Sequence, residues 1–202
     1  MYFADMFCFG YDPDCVGVTG IVGCMGIFVA TDDLLYSIHV TAGSVPEERL
    51  GAQKFGSFVN RCETPQKIAR AKVFCVVNGG ARLKLSNDLE PFAKAIGVKL
   101  ITAVRIFENL APMSQAVGKG SRWDQMKAVA VAFKRGQAQG EFVIRYKQES
   151  EVQWLNGAQA GGKYRDGWYN RAHYKEVRTV DPGFAGWHVV NNTNSGFTRF
   201  NF

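Results

Sequence analysis

The sequence predicts an α/β fold in which a mixed, largely antiparallel, sandwich-like sheet is layered with about two helices. Short apolar runs separated by turn residues indicate strands, and two segments with helix-start signals lie among them. This element order favours helices packed on a sheet. Of the 202 residues, 47% are hydrophobic and 13% aromatic, enough for one well-buried core. We therefore expect one domain over residues 1–202, with a core at about 16–147 and a loop-rich aromatic part at 150–202.

The first elements are a turn-rich segment and a hairpin. Residues 1–15 are aromatic and rich in turn formers, so we expect an irregular segment with at most one short strand. Residues 16–30 form an uncharged apolar run with several glycines, and the Asp32-Asp33 turn separates it from a second apolar run at 34–40. Two short apolar runs around such a turn predict a β-hairpin.

The helices follow from capping signals. The segment Ser44-Val45-Pro46-Glu47 is a capping box with proline in the first turn, and it predicts a helix to about Arg61. Asn87 caps a second helix that runs through Ile96 and ends at Gly97. The face of the first helix that packs on the sheet is predicted to contain Gly51, Phe55, Phe58, Val59 and Cys62.

The remaining strands are predicted from buried or alternating apolar runs, with a loop at about 109–125. The turn Asn78-Gly79-Gly80 should close the first of these strands. Cys75 lies within that strand, and we expect it, like Cys62, to be a core thiol. The predicted strands are 72–77, 98–107, 127–134, 141–147 and 197–202.

Composition argues against several classes of protein. The five cysteines are odd in number and none forms a Cys-x-x-Cys pair, which argues against a disulfide scaffold and a structural zinc site. With only three histidines, neither a metal nor another cofactor is expected. The N-terminus lacks a basic region before an apolar core, and residues 16–30 are too short to span a bilayer. We expect no membrane span and a protein that acts in a cytosol. The net charge of +6 suits an acidic partner surface or simple solubility.

Cys24 and His39 lie on the two arms of the hairpin at nearly equal distances from the turn. We therefore expect them nearly opposite each other on one face, with Cβ atoms about 5 Å apart. A thiol and an imidazole at that distance are the minimal nucleophile and base of a cysteine enzyme. A third group usually orients the imidazole. Its candidates are a backbone carbonyl and the hydroxyls of Thr19, Ser37 and Thr41.

The surroundings of Cys24 supply candidates for substrate binding. Backbone amides around Gly23 and Cys24 are placed to form an oxyanion hole. Met25 and Ser37 are the residues that we expect to line the cleft beside the thiol.

The segment Ile21-Val22-Gly23-Cys24, an apolar strand, a turn and Tyr36-Ser37-Ile38-His39 before a capped helix together resemble the Cys-His protein glutamine deamidases. That group includes the catalytic domain of cytotoxic necrotizing factor, the Burkholderia lethal factor and the chemotaxis receptor deamidases. The resemblance covers about residues 16–147. Residues 150–202 match no family pattern.

The resemblance implies that Cys24 attacks the side-chain carboxamide of a glutamine on a target protein. His39 takes the thiol proton and protonates the departing ammonia, and water then hydrolyses the thioester to leave glutamate. An amine in place of water gives transglutamination. Thr19 lies near the position at which some members carry a threonine. The resemblance also implies a bacterial toxin or effector, secreted without a classical signal peptide and acting in a target cytosol.

Two other functions remain open from the sequence. Aromatic and basic residues interleave in 150–202, a pattern that can bind single-stranded nucleic acid by stacking. Alternatively, the chain is a catalytically inactive structural or inhibitory domain in which Cys24 is buried and unreactive.

Overall fold

The structure is a computed structural model that describes residues 2–4, 8–21, 23–41, 45–78, 85–106, 128–138, 140–148, 185–190 and 195–202. The strands within these ranges are β1 Tyr2–Ala4, β2 Phe9–Asp12, β3 Cys15–Ile21, β4 Cys24–Ala30, β5 Leu35–Thr41, β6 Lys72–Asn78, β7 Leu100–Ile106, β8 Val129–Arg135, β9 Phe142–Gln148, β10 His188–Val189 and β11 Ser195–Asn201. The helices are α1 Val45–Cys62, α2 Pro65–Arg70 and α3 Glu90–Ile96, and a π-helical turn, Leu85–Leu89, leads into α3. None of these helices is long and apolar enough to cross a membrane.

Two mixed sheets organise the molecule. The central sheet has six strands in the order β11-β7-β6-β4-β5-β2, and the outer sheet has five in the order β1-β3-β8-β9-β10. The β1/β3 and β6/β7 pairs are parallel, and the other pairs are antiparallel. The predicted α/β class with a largely antiparallel, sandwich-like arrangement is confirmed.

The central sheet is covered on both faces, so the fold has three layers. On one face, Phe55 of α1 and Phe92 of α3 pack in a core with Ile27 and Ile38. On the other face, an inter-sheet core joins strands of both sheets. Because strand side chains alternate between faces, neighbouring residues of β4 and β5 belong to different cores. This alternation decides which residues can share a site.

The predicted first strand over 16–30 is wrong, because this run forms two strands in different sheets. β3 belongs to the outer sheet and β4 to the central sheet. The pairing of β3 with β8 shifts register between Val18 and Ile21, and Gly20 has a φ of 68°. Few residues other than glycine adopt that conformation at low cost, so the backbone leaves the strand direction here. The hairpin itself is confirmed as β4 and β5.

The N-terminal part is more regular than predicted. It contains two short strands, of which β1 pairs with β3 and β2 pairs with β5. The helix α2 was not predicted, although the sequence has its signals. Thr64 caps it by accepting a hydrogen bond from the Lys67 N–H, and Pro65 occupies its first turn.

The second predicted helix ends at Gly97 as expected, with a φ of 90°. Its start differs, because the N-cap is Leu89 and no side chain caps it. The π-helical turn places Asn87 before the helix proper, so the expected Asn87 cap is wrong.

The predicted strands after α1 are each present with small changes in their ends, and the buried face of α1 is confirmed except for Cys62. Cys62 is exposed, because it is the last residue of α1 and lies past the packed face, whereas Cys75 is buried as predicted. The predictions for Ser44, for the Gly79-Gly80 turn, for the loop at 109–125 and for residues 150–184 fall outside the described residues.

Candidate active site

Cys24 and His39 lie on adjacent antiparallel strands with their side chains on one face, as predicted. In the β4–β5 register, Cys24 pairs with Thr41 and His39 pairs with Gly26. The two side chains are therefore diagonal neighbours rather than opposite ones, with a typical Cβ separation of about 7 Å. The turn explains this offset, because the Thr31 N–H bonds the Leu34 carbonyl and centres the turn between Asp32 and Asp33.

His39 is sealed in the inter-sheet core. Its side chain is fully buried, and neither ring nitrogen has a hydrogen-bond partner among the described residues. A Cβ built on the facing Gly26 would lie 2.7 Å from a Val18 methyl and 3.4 Å from Ile21 Cδ1. Apolar side chains of the outer sheet therefore reach the strand beside His39. Burial lowers the pKa of His39 from 6.5 to about 3, so the imidazole is neutral at pH 7.

Cys24 lies at the edge of this core. It is the first residue of β4, follows the half-buried Gly23 and is 8% exposed. Helix α1 covers the opposite face of the central sheet and does not enclose the thiol. Cys24 is therefore a buried thiol, and not a partly accessible one at the mouth of a cleft as the sequence predicts. The neighbouring residues 22 and 42–44 lie outside the described ranges.

No described side chain orients His39. The Ser37 hydroxyl is fully buried and donates to the Gly17 carbonyl at 3.1 Å. Thr19 is buried on β3, in the outer sheet, and makes no hydrogen bond to the imidazole of His39. The backbone N–H of His39 donates to the Cys8 carbonyl at 3.2 Å, which fixes the strand but not the ring.

Met25 belongs to the other face of the sheet. Its side chain is buried in the core under the helices, and its sulfur lies 3.9 Å from the Cys75 sulfur. Only the backbone of Met25 can therefore border a cleft at Cys24. Ser37 is on the same face as His39 but lies two residues earlier in β5, inside the inter-sheet core. Of the expected cleft residues, Gly23 is therefore the one nearest the surface.

Two residues that the sequence argument passed over lie beside the pair. The register of β2 with β5 pairs Phe9 with Ile38, so Cys8 is the direct cross-strand neighbour of His39. The register of β4 with β6 brings Asn78 beside Cys24, and the buried Asn78 amide donates to the Ile21 carbonyl at 3.2 Å. The sequence signal for Asn78 is a polar residue at the end of an apolar strand. Cys8 has no such signal.

Three of the other thiols, Cys75, Cys15 and Cys62, are poor nucleophiles. Burial, with added repulsion from Asp88 and Glu48, raises the pKa of Cys75, and burial with Asp12 nearby raises that of Cys15 to about 12. Burial also raises the pKa of Cys62, with the Glu63 carboxylate adding to it. Thiolate is the reactive form, so the raised pKa makes each of these three cysteines a weaker nucleophile at neutral pH.

Comparisons with known proteins supply no family for this chain. No family model matches it, and no curated protein is significantly similar to it. Within the described ranges, no group of three or more histidine, cysteine or carboxylate side chains is arranged to hold a metal ion.

Proposed function

We propose that this protein is a cysteine-dependent hydrolase of carboxamide C–N bonds that deamidates a glutamine side chain of a target protein. The observation that carries the proposal is the placement of Cys24 and His39 on one face of a two-strand unit. The imidazole nitrogens have no partner among the described residues, and burial keeps the resting ring neutral while making it a weaker base than a free imidazole. A neutral imidazole near a thiol is a general base in its proton-accepting form.

The chemistry then runs through a transient ion pair. The Cys24 sulfur attacks the carboxamide carbon while His39 accepts the thiol proton, and that proton leaves with ammonia as the C–N bond breaks. Water adds to the thioester, restores the thiol and leaves glutamate. Apolar surroundings disfavour a lasting imidazolium, so the resting site holds a thiol and a neutral imidazole. An amine in place of water gives transglutamination at the same site.

Backbone and amide donors near Cys24 support stabilisation of the oxyanion. The N–H groups around Gly23 lie at the start of β4, and the Asn78 side chain lies beside the thiol. Such donors stabilise the developing negative charge most strongly when they are held in place before reaction. The hydrogen bond from Asn78 to Ile21 holds that amide in place.

The redox state of the cysteines supports a reducing place of action. All five cysteines lie in the described part of the chain, and none forms a disulfide bond. Reduced thiols are typical of proteins that act in a cytosol. The resemblance to the Cys-His glutamine deamidases extends the proposal to a secreted toxin or effector that acts on a target protein in a cytosol.

The test is a mass-spectrometric search for amide-to-acid changes in lysate proteins, with ammonia release as a second readout. Wild-type protein should convert a specific glutamine, and Cys24→Ser should not. Cys62→Ser is the matched control, because Cys62 is an exposed thiol at the end of α1 and not part of the hairpin. Retained activity in a folded Cys24→Ser variant means that Cys24 is not the nucleophile.

Cys8→Ser is the decisive companion variant. Cys8 is the nearer neighbour of His39 but is only 2% exposed, against 8% for Cys24. We assign the attack to Cys24 because it is the more accessible thiol and follows Gly23. Loss of activity in Cys8→Ser with retention in Cys24→Ser reverses that assignment.

An inactive structural or inhibitory domain is the alternative, and the burial of His39 without an orienting partner among the described residues supports it. Iodoacetamide labelling of the native protein separates the two. An active site predicts alkylation of Cys24 well ahead of the buried Cys75, whereas an inactive domain predicts that both are equally protected. The aromatic segment considered for nucleic-acid binding lies mostly outside the described residues.

A further inference from the structure

A second site lies at the far end of the central sheet from Cys24. There, β6, β7 and β11 run side by side, and the register places Phe74, Thr102 and Arg199 in one row across them. A cavity of about 800 Å³ opens over this row. Its lining consists of Ala71, Lys72, Val73, Phe74, Leu100, Thr102, Phe197 and Arg199. We call this cavity and the outer edge of β11 the edge groove.

The strand β11 gives the groove a backbone edge. Among the described strands it pairs only with β7, so one side of the segment Ser195–Asn201 has no neighbouring strand there. Alternate residues of such a strand direct their N–H and carbonyl groups outward. An extended edge of this length without proline is a template for pairing with another chain.

The surface around the groove is unusually apolar. Five large hydrophobic side chains are exposed in the described part of the chain, and two of them, Leu100 and Phe197, line this cavity. Single exposed apolar residues need no explanation, but a cluster of them marks a binding surface. The groove therefore combines exposed apolar side chains with an available strand edge.

The charge of the groove selects the partner. Lys72 and Arg199 line it, and none of the described lining residues carries a carboxylate. The Lys72 ammonium donates to the Gly140 carbonyl at 3.2 Å and lies 5.2 Å from the Phe142 ring centre, which leaves further N–H donors for a ligand. The Arg199 guanidinium makes no hydrogen bond or ion pair with any described residue.

We propose that the edge groove binds an extended, acidic segment of a partner protein by strand addition to β11. The added strand forms backbone hydrogen bonds with β11, places an apolar side chain in the cavity and presents carboxylates to Lys72 and Arg199. A second copy of this chain is a poorer occupant, because both edges carry Arg199 and each chain has a net charge of +6. The proposal does not depend on the chemistry of Cys24 and His39.

The probe is a short fluorescein-labelled peptide that forms one extended strand. One face of this strand carries a phenylalanine flanked by glutamates, and the other face carries threonines. Fluorescence anisotropy should show saturable binding to the full-length protein. A peptide with lysine in place of glutamate should bind at least about tenfold more weakly. Every second backbone N–H of the added strand points toward β11, and the others point away from it. N-methylation of the residues whose N–H groups face β11 should abolish binding. N-methylation of the alternate residues should leave the affinity within about twofold.

Arg199→Glu should weaken binding at least about tenfold, whereas the matched charge change Lys94→Glu on the exposed face of α3 should change it less than about twofold. Circular dichroism and the melting temperature verify that both variants fold. Absence of binding, equal loss from both methylation phases, or equal effects of the two variants overturns the proposal. Tighter binding of single-stranded DNA at the same site, or a concentration-dependent dimer that Arg199→Glu abolishes, overturns it as well.

Discussion

His39 makes the stability of this protein sensitive to acid. Its pKa is about 3 in the folded protein, because the ring is fully buried, and about 6.5 in an unfolded chain. Between these values the unfolded state binds more protons, so stability falls as the pH falls. The contribution of His39 to the free energy of unfolding is fully present above about pH 6.5 and is lost as the pH falls toward 3. The total change from this group is roughly 5 kcal/mol.

Urea unfolding at neutral pH and at about pH 4 measures this effect. From neutral pH to about pH 4, the unfolding free energy of the His39→Leu variant should fall by several kcal/mol less than that of wild type. His188→Gln should behave as wild type, since His188 is exposed on β10. An unchanged acid sensitivity in His39→Leu shows that other groups cause it.

His39→Ala tests the base directly. Without the imidazole, no group of the hairpin accepts the thiol proton as Cys24 attacks the carboxamide, so deamidation should fall to background. The double variant with Cys24→Ser should be no worse than either single one, because groups that act as a unit are not additive. Thr19→Ala should be mild, since Thr19 makes no bond to the ring. A deamidase readout that survives His39→Ala in folded protein contradicts the assignment.

The candidate site is predictable from sequence only where its residues share a local unit. Cys24 and His39 belong to one hairpin, so counting from the turn places them on adjacent strands. Cys8 and Asn78 reach the same face through β2 and β6, which pair with the hairpin from distant parts of the chain. Register between distant strands is set by the core, and no local pattern encodes it.

Helix packing depends on one glycine. A Cβ at Gly56 of α1 would lie 2.5 Å from the Ala95 carbonyl oxygen of α3, a backbone atom that cannot move aside. Alanine normally favours a helix over glycine by about 1 kcal/mol. Gly56→Ala should nevertheless destabilise the protein by roughly 1–3 kcal/mol, because α3 must shift away from α1.

Urea unfolding measures the Gly56→Ala effect, and Ser57→Ala is the control on the exposed side of the same helix. Ser57→Ala should leave the unfolding free energy within about 0.5 kcal/mol of wild type. Equal stability of the two variants is evidence against close α1–α3 contact.

At the level of elements, the sequence predicts α1, α3 and most strands, because their apolar patterns and turns are local. It does not predict that the run 16–30 divides between two sheets. In the structure, the bend that separates the two strands lies at Gly20, which has a positive φ and stands within a glycine-rich run. Several glycines in the run look alike by composition, and only the packing of two sheets decides which one bends the chain.

At the level of the whole molecule, the shared inter-sheet core should make unfolding a single transition. Cys15 is buried in β3 of the outer sheet, and Cys75 is buried in β6 of the central sheet. Pulsed alkylation across a urea series, read by mass spectrometry, should give both thiols the same midpoint. Exposed Cys62 should label at every urea concentration. Distinct midpoints for Cys15 and Cys75 show that the sheets unfold separately.

The order of strands along the chain also bears on how fast the protein reaches its fold. The outer sheet pairs β3, from before residue 22, with β8, which begins at Val129, and the whole hairpin and helical layer lie between them. Closing such distant pairs is entropically slow, so we expect folding in milliseconds to seconds rather than microseconds. During synthesis, the apolar face of β4 and β5 stays uncovered until β8 and β9 have left the ribosome. A nascent chain with that face uncovered is a natural client for chaperones.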